Sequence, residues 1–324
     1  MASATLADVA SAIRGARTVT VVAHLRPDAD AIGSVTASVA ALRRLGLTAR
    51  GQIGQDAPIE AHLLTIPGAD EVTCSRELLR AELYLVLDCA SLDRTGYLAG
   101  QLEEREHQVV CVDHHESNPG FGGLNLIVPE AESTTTILAD LFAELGVDDT
   151  EPDIAHGLYA GLVTDTGSFR WGGARMHELG GRWLAAGLDP RRIAAELMDA
   201  VSVDDLTMIG RVLATSRMHD VDGLGVAALV ADCAEVQGHP KSVLEVVIDM
   251  VTAVRGATVA AVLKELRPGH WSVSLRAPRA DVSHLAVHLG GGGHRASAGY
   301  TAPGTAESVI AELLEGVRAC RGEL

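Results

Sequence analysis

Four short stretches put acids and histidines where apolar runs end. The segment AHLRPDADAIGS carries His24, Asp28 and Asp30 at and just beyond the end of a β-branched run at 18–24. Asp88 closes ELYLVLDC at 82–89, and Asp113, His114 and His115 close QVVCVDHH at 108–115. Asp165, in VTDTG, ends an apolar helical stretch or sits in the turn after it. Singly, each is ordinary: a strand-end aspartate is more often a turn or cap residue than a ligand. Four such clusters at corresponding ends of one sheet are hard to explain as caps. A buried group of carboxylates repels itself, and a divalent cation is the usual remedy.

The donor set limits the cation. Imidazoles and carboxylates without thiolates suit Mn²⁺, Fe²⁺ or Zn²⁺ better than Ca²⁺. The donors outnumber what one ion needs. Two ions roughly 3.5–4 Å apart, sharing a carboxylate and a water that loses its proton near neutral pH, would account for the excess. Such a pair suits attack on phosphorus.

The elements that position these residues can be read from the pattern. Strand-like runs at 18–24, 82–89 and 108–115 alternate with the helical stretches AIGSVTASVAALRRLG, STTTILADLFAELG and DIAHGLYAGLVTDTG. That alternation predicts an α/β fold with a doubly wound, mostly parallel sheet, whose functional residues collect beyond the carboxyl ends of the strands. Residues 186–215 lack strand signals and read as a helical linker. A second, smaller αβ unit follows, with GLGVAALVA, ATVAAVLKEL and HWSVSLRA as strands and PKSVLEVVIDMVTAV and ESVIAELLEGVRACR as helices. The boundaries expected are 1–185, 186–215 and 216–324.

Between those last elements lies HLGGGGHRASAG, 288–299. Glycines let backbone N–H groups approach an anion, and the small-residue stretch after them is expected to open a helix whose N-terminus adds favourable charge. Gly292, Gly293, His294 and Arg295, with Ser274 and Arg276 from the neighbouring VSLR strand, are the candidate phosphate-binding residues. A flexible loop with a surface arginine is the plain alternative. Thr134 and Thr135 are expected to cap a helix, Trp171 to pack rather than stack on a base, and Met208 and Met218 to lie in the core.

Composition narrows the partners. The 324 residues include 43 acids against 26 bases, a net charge of −17, and only 3% aromatics. Long nucleic acids are gripped by many Lys/Arg–phosphate contacts and stacking rings, so a long strand is not expected as a ligand. A small phosphorylated ligand is still allowed, because bound metals offset its charge. The five cysteines are scattered with no C-x-x-C pair, which points to a reducing compartment, the cytoplasm. No run of about 18 apolar residues predicts a membrane span.

At these residues the chain resembles the DHH phosphoesterase superfamily. HLRPDAD, LDC, VDHHES and LVTDTGSF are similar to its four motifs in order, and GGGGHRASAG to the signature of the DHHA1 substrate domain. The resemblance covers nearly the whole chain. Length and domain pairing are most similar to the bifunctional oligoribonuclease and 3′-phosphoadenosine 5′-phosphate phosphatase branch, some of whose relatives act on cyclic dinucleotides. Ala29 stands where the family often has glycine, and it is small enough for the loop.

The resemblance implies a two-manganese enzyme, with Co²⁺ or Mg²⁺ as substitutes. One metal would be held by His24, Asp28 and Asp88, the other by Asp30, Asp88, His114 and Asp165. Asp113 would orient a neighbouring histidine, and His115 would sit beside the scissile phosphate. The second domain would bind the part of the nucleotide away from the cut. Expected substrates are short RNA, 3′-phosphoadenosine 5′-phosphate, and linear dinucleotides or cyclic di-AMP. No membrane partner is expected, and a homodimer is allowed. The alternatives are a pyrophosphatase or polyphosphatase of the same superfamily, against which the G-G-G-H segment argues, and a metal-free nucleotide-binding module, which would be expected to lose ligands.

Overall fold

The computed structural model describes residues 4–198, 201–239, 241–277, 279–293 and 295–324. The chain divides into two units, Met1–Ala200 and Val201–Leu324. The stretch 186–215 falls across that division, giving one helix to each unit.

The first unit runs α1 (Leu6–Gly15), β1 (Thr18–Ala23), α2 (Ala29–Arg44), β2 (Thr48–Ile53), β3 (Thr73–Cys74), β4 (Leu83–Leu87), α3 (Ala99–Glu103), β5 (Val109–Asp113), β6 (Leu124–Ile127), α4 (Thr134–Leu145), α5 (Pro152–Asp165), α6 (Ala174–Ala185) and α7 (Pro190–Leu197). Its sheet has the order β3-β2-β1-β4-β5-β6, parallel throughout. Strands β4 and β5 are buried along their whole length, as a sheet covered on both faces requires. Val19, Val21 and Leu85 pack into the large core with α2, α4 and α5, while Val22, Tyr84 and Val86 face a smaller cluster with Leu98 and Leu102. The chain leaves β1 in one direction across the sheet and returns to β4 on its other side. The carboxyl ends of β1 and β4 are therefore a topological switch point, where such sheets bind ligands. Strands β2, β3 and β6 lack the β-branched runs of their neighbours, and the sequence pattern did not predict them.

Helices α2 and α5 cross at glycine. A Cβ on Gly33 would lie 2.2 Å from the Gly157 carbonyl oxygen, so only glycine lets the two backbones meet there. This crossing brings the start of α2 and the end of α5 to the same sheet edge.

The second unit contains α8 (Val203–Ala214), β7 (Arg217–Val221), β8 (Leu224–Ala231), α9 (Cys233–Val236), α10 (Lys241–Val251), β9 (Val259–Arg267), β10 (His270–Arg276), α11 (Val282–His288), β11 (Gly292–Gly293), β12 (Ser297–Pro303) and α12 (Ala306–Ala319). Its sheet order is β11-β12-β10-β9-β8-β7, with β8 and β9 parallel and the other pairs antiparallel. Trp271, Val273 and Leu275 share one core with residues of α11 and α12, and Ala260 and Val262 share another with α8 and α10.

The structure corrects two expectations here. The stretch after the glycines is strand β12, not the opening of a helix: it pairs with β10 from Pro303 to Ser297. Ala298, Tyr300 and Ala302 alternate into the core, a period-two signal that Ser, Ala and Gly made weak in the sequence. Met208 is buried as expected, but Met218 is half exposed, on β7 at the sheet edge.

Candidate metal centre

Every acid and histidine singled out in the first unit arrives at the switch point. His24 follows β1, Asp28 caps α2, Asp30 lies in the first turn of α2, Asp88 follows β4, Asp113 ends β5, and Asp165 ends α5. Their donor atoms fall into three overlapping groups, each within 4.8 Å: His24, Asp28 and Asp88; Asp30, His114 and Asp165; and Asp88, His114 and His115.

Asp88 joins the groups through both of its oxygens. Its Oδ2 lies 3.5 Å from His24 Nε2, and its Oδ1 lies 3.6 Å from His114 Nε2. The backbone there takes a φ of 55°, a left-handed conformation that aspartate tolerates better than most residues. On one side, His24 Nε2 is 3.6 Å from Asp28 Oδ2. On the other, His114 Nε2 is 3.3 Å from Asp165 Oδ2 and 4.0 Å from Asp30 Oδ2.

Neighbours hold these side chains in place. Ser133 caps α4, and the next two amides, of Thr134 and Thr135, donate to Asp30 at 2.7 and 3.1 Å. Thr134 Oγ1 also donates to Asp88 Oδ1, at 3.1 Å. The two threonines thus position acids rather than cap the helix. Gly161 on α5 leaves the room: a Cβ there would lie 2.3 Å from Asp30 Oδ1. His115 Nδ1 donates to Asp113 Oδ1 at 2.8 Å, and Asn118 Nδ2 donates to Asp113 Oδ2 at 2.7 Å and to the Cys89 carbonyl at 2.9 Å. The loop after β1 is tied down by Leu25 N–H on the Arg94 carbonyl, 2.7 Å, and by Arg26 N–H on Gln55 Oε1, 2.6 Å. Asn118, Gln55 and Ser133 carry no motif spacing, and only the three-dimensional contacts reveal them.

The electrostatics describe a pocket that needs positive charge. Burial disfavours the charged His24 ring, yet the Asp28 and Asp88 carboxylates outweigh it and raise the ring to about 10. Burial would lift Asp88, but facing His24, His115 and His114 it falls well below the ordinary carboxylate range. Burial, with Asp88 and Asp28 nearby, pushes Asp30 well above that range. Burial lowers His114, which keeps its imidazole neutral as a metal ligand requires. Burial also works against a charged His115, but its hydrogen bond to Asp113 prevails and raises it.

The donors fit a divalent cation. His114 Nδ1 faces the Ala131 carbonyl at 3.3 Å, and a proton there leaves its Nε2 to ligate; His24 Nδ1 lies between the Leu25 carbonyl at 3.0 Å and Arg94 Nη2 at 3.2 Å, while its Nε2 faces the Asp28 and Asp88 carboxylates. Bonds of about 2.0–2.2 Å put adjacent donors on one ion about 3–3.6 Å apart, close to the 3.3–3.6 Å separations around Asp88 and His114.

A family model described as "DHH family, N-terminal domain" matches residues 18–162, and one described as "DHHA1 domain" matches residues 225–322. The chain is 31% identical over 330 residues to the bifunctional oligoribonuclease and PAP phosphatase NrnA of Thermus thermophilus, covering 97% of this chain and 92% of the relative. The chain belongs to the DHH family. It is a DHH phosphoesterase with a DHHA1 domain. Its fold matches an exopolyphosphatase-related protein from Bacteroides fragilis with a TM-score of 0.85 at 20% identity, covering 98% of this chain and 97% of that one. The structure of RecJ in complex with Mn²⁺ from Thermus thermophilus aligns with a TM-score of 0.52 at 16% identity, covering 98% of this chain and 55% of RecJ.

In this DHH protein the second unit gathers most of the other candidates. Ser274 and Arg276 point away from the Trp271–Leu275 core face of β10. Ser274 pairs with Gly299 and Arg276 with Ser297, while Gly292 and Gly293 form β11 and pair with Gly299 and Ala298. Ser274, Gly299 and Gly292 thus form one row across three strands. Arg295 is exposed beyond β11, and its carbonyl accepts from Val282 N–H at 2.8 Å. His294 lies outside the described residues. No described helix is long and apolar enough to cross a membrane.

Proposed function

We propose that this chain is a manganese-dependent phosphoesterase that cleaves short oligoribonucleotides to mononucleotides and 3′-phosphoadenosine 5′-phosphate to AMP. Linear dinucleotides and cyclic di-AMP extend the same substrate class. The observation that carries the reading is Asp88, whose two oxygens face two separate donor groups, as a bridging carboxylate would. The relative from Thermus, named for both activities and aligned over nearly the whole length, supports the choice of substrates.

In this reading His24, Asp28 and Asp88 hold one ion, and Asp30, Asp88, His114 and Asp165 hold the other. Cobalt or magnesium can stand in for manganese. When bound, the ions supply Lewis acidity to a phosphoryl oxygen and acidify water. Asp113, itself fixed by Asn118, holds the His115 Nδ1 proton and so presents Nε2. From Nε2 the ring donates to the phosphoryl group or gives its proton to the leaving oxygen. Ser274, Arg276, His294, Arg295 and the Gly292–Gly293 backbone bind the remaining phosphate. The scattered free cysteines fit a cytoplasmic protein.

A product profile on a short RNA, 3′-phosphoadenosine 5′-phosphate and cyclic di-AMP, with manganese titrated in, tests the proposal. Full manganese-dependent turnover by Asp88→Ala would refute the site assignment. Turnover of pyrophosphate in preference to all three nucleotides would refute the substrate class.

A further inference from the structure

Of the three tryptophans, Trp183 and Trp271 are buried, whereas Trp171 is 36% exposed. The packing expected from the sequence holds only in part: the indole edge lies against Gly167, and the rest of the ring is open. The loop that carries it leaves α5 directly after Asp165. Gly167, Ser168 and Phe169 take φ values of 54°, 62° and 64°, a left-handed run that is costly for serine and phenylalanine.

The loop is firmly braced. Ser168 N–H donates to the Val163 carbonyl at 2.8 Å, Phe169 N–H to Thr166 Oγ1 at 3.0 Å, and Arg170 and Trp171 N–H to the Thr166 carbonyl at 2.8 and 3.0 Å. Phe169 anchors it, its ring stacked on His177 at 5.5 Å between centroids and 6.0 Å from Tyr159. At the far end Gly173 N–H donates to Glu132 Oε1 at 3.2 Å. Glu132 precedes Ser133, which caps the helix whose first amides hold Asp30. Both ends of the loop are therefore tied to the metal centre.

What this bracing presents is an indole with a guanidinium over one face: Arg170 Cζ lies above the Trp171 ring, 5.3 Å from its centroid. Strain held at one site calls for a functional reason. A tryptophan face beside an arginine is a surface on which any nucleobase stacks. We propose that Trp171, flanked by Arg170, is the platform for a base of the nucleotide bound at the metal centre. The proposal rests on the nucleotide reading above and adds the residue that recognises the base. Such a platform would favour nucleotides over base-free phosphates, a selectivity that the metal donors alone do not provide.

The test uses the full-length, manganese-loaded protein. Because Trp171 is the exposed indole, its fluorescence reports stacking. AMP should quench it, and ribose 5-phosphate, which lacks the base, should not. Trp171→Ala should weaken AMP binding by about tenfold, a typical loss for one base stack, and leave ribose 5-phosphate affinity unmoved. Trp171→Phe should restore most of the AMP affinity. Equal quenching by both ligands, or AMP affinity in Trp171→Ala within twofold of wild type, overturns the proposal. These binding measurements need no turnover, so they decide the stacking role separately from the hydrolytic reading. If hydrolysis of dinucleotides is seen with no change in Trp171→Ala, the metal assignment stands and the platform falls.

Discussion

The two units solve different problems with their polar residues. In the first, His24, Asp30, Asp88, Asp113 and His114 are buried while Asp28 stays exposed at the rim, and backbone amides or side chains hold Asp30, Asp88 and Asp113. In the second, Ser274, Arg276, Ser297 and Gly299 lie on neighbouring strands of one sheet and are only half-buried. Chemistry at phosphorus demands donors placed within fractions of an ångström, and low dielectric makes their charges strong. Holding a phosphate or ribose away from the reacting bond tolerates a wetter, more forgiving surface. The contrast predicts that damage to the first unit stops turnover, whereas damage to the second weakens binding.

The sharpest break would come from Asp88→Asn. Losing the shared carboxylate should cut kcat on a short RNA by on the order of 10³-fold, equivalent to about 4 kcal/mol of transition-state stabilisation. Metal content after desalting should fall with it, which elemental analysis of the purified variant would read. Arg276→Ala is the matching change in the second unit. It should raise KM by about tenfold, as loss of a charge-assisted hydrogen bond would, with kcat within about threefold. If both variants lost only kcat, the division of labour would be wrong.

Removing metal should separate the units calorimetrically. A ligand at 100 times its dissociation constant stabilises by about 2.7 kcal/mol, and each kcal/mol moves a unit of this size by about 2–4 °C. A chelator should therefore lower one transition by roughly 5–10 °C and leave the other in place. Gly161→Ala should act on the first unit alone: its added methyl meets Asp30 and Thr135, and about 1–3 kcal/mol of stability should be lost with metal affinity.

The smallest effect belongs to the second unit and is read in acid. Asp205 pairs with His239 and accepts from the Ser202 hydroxyl at 2.6 Å and N–H at 2.8 Å, and these contacts hold its carboxyl down at about 2. A depressed folded value stabilises above the unfolded value near 3.8 and loses that contribution as pH falls through 2. Asp205→Asn should lower the second unit's melting temperature at pH 7 and match wild type below pH 2.

Local pattern was enough to single out the eight candidate residues, because they lie at the ends of apolar runs whose period marks a strand or helix, or, as with Asp28 and Asp30, in the loop and helix start just beyond one. It was enough for the parallel sheet as well, since buried central strands such as LYLVL have a composition found in little else. Contacts distant in sequence decided the rest. Asp30 is held by amides 104 and 105 residues away, and room for it comes from a glycine on another helix. The partner strand β10 made β12 a strand in a stretch whose small residues favoured no element, and a braced loop turned Trp171 outward. Propensity and periodicity act over a few neighbouring residues, whereas register, helix crossing and the convergence of charge are settled only when the sheet has closed around them.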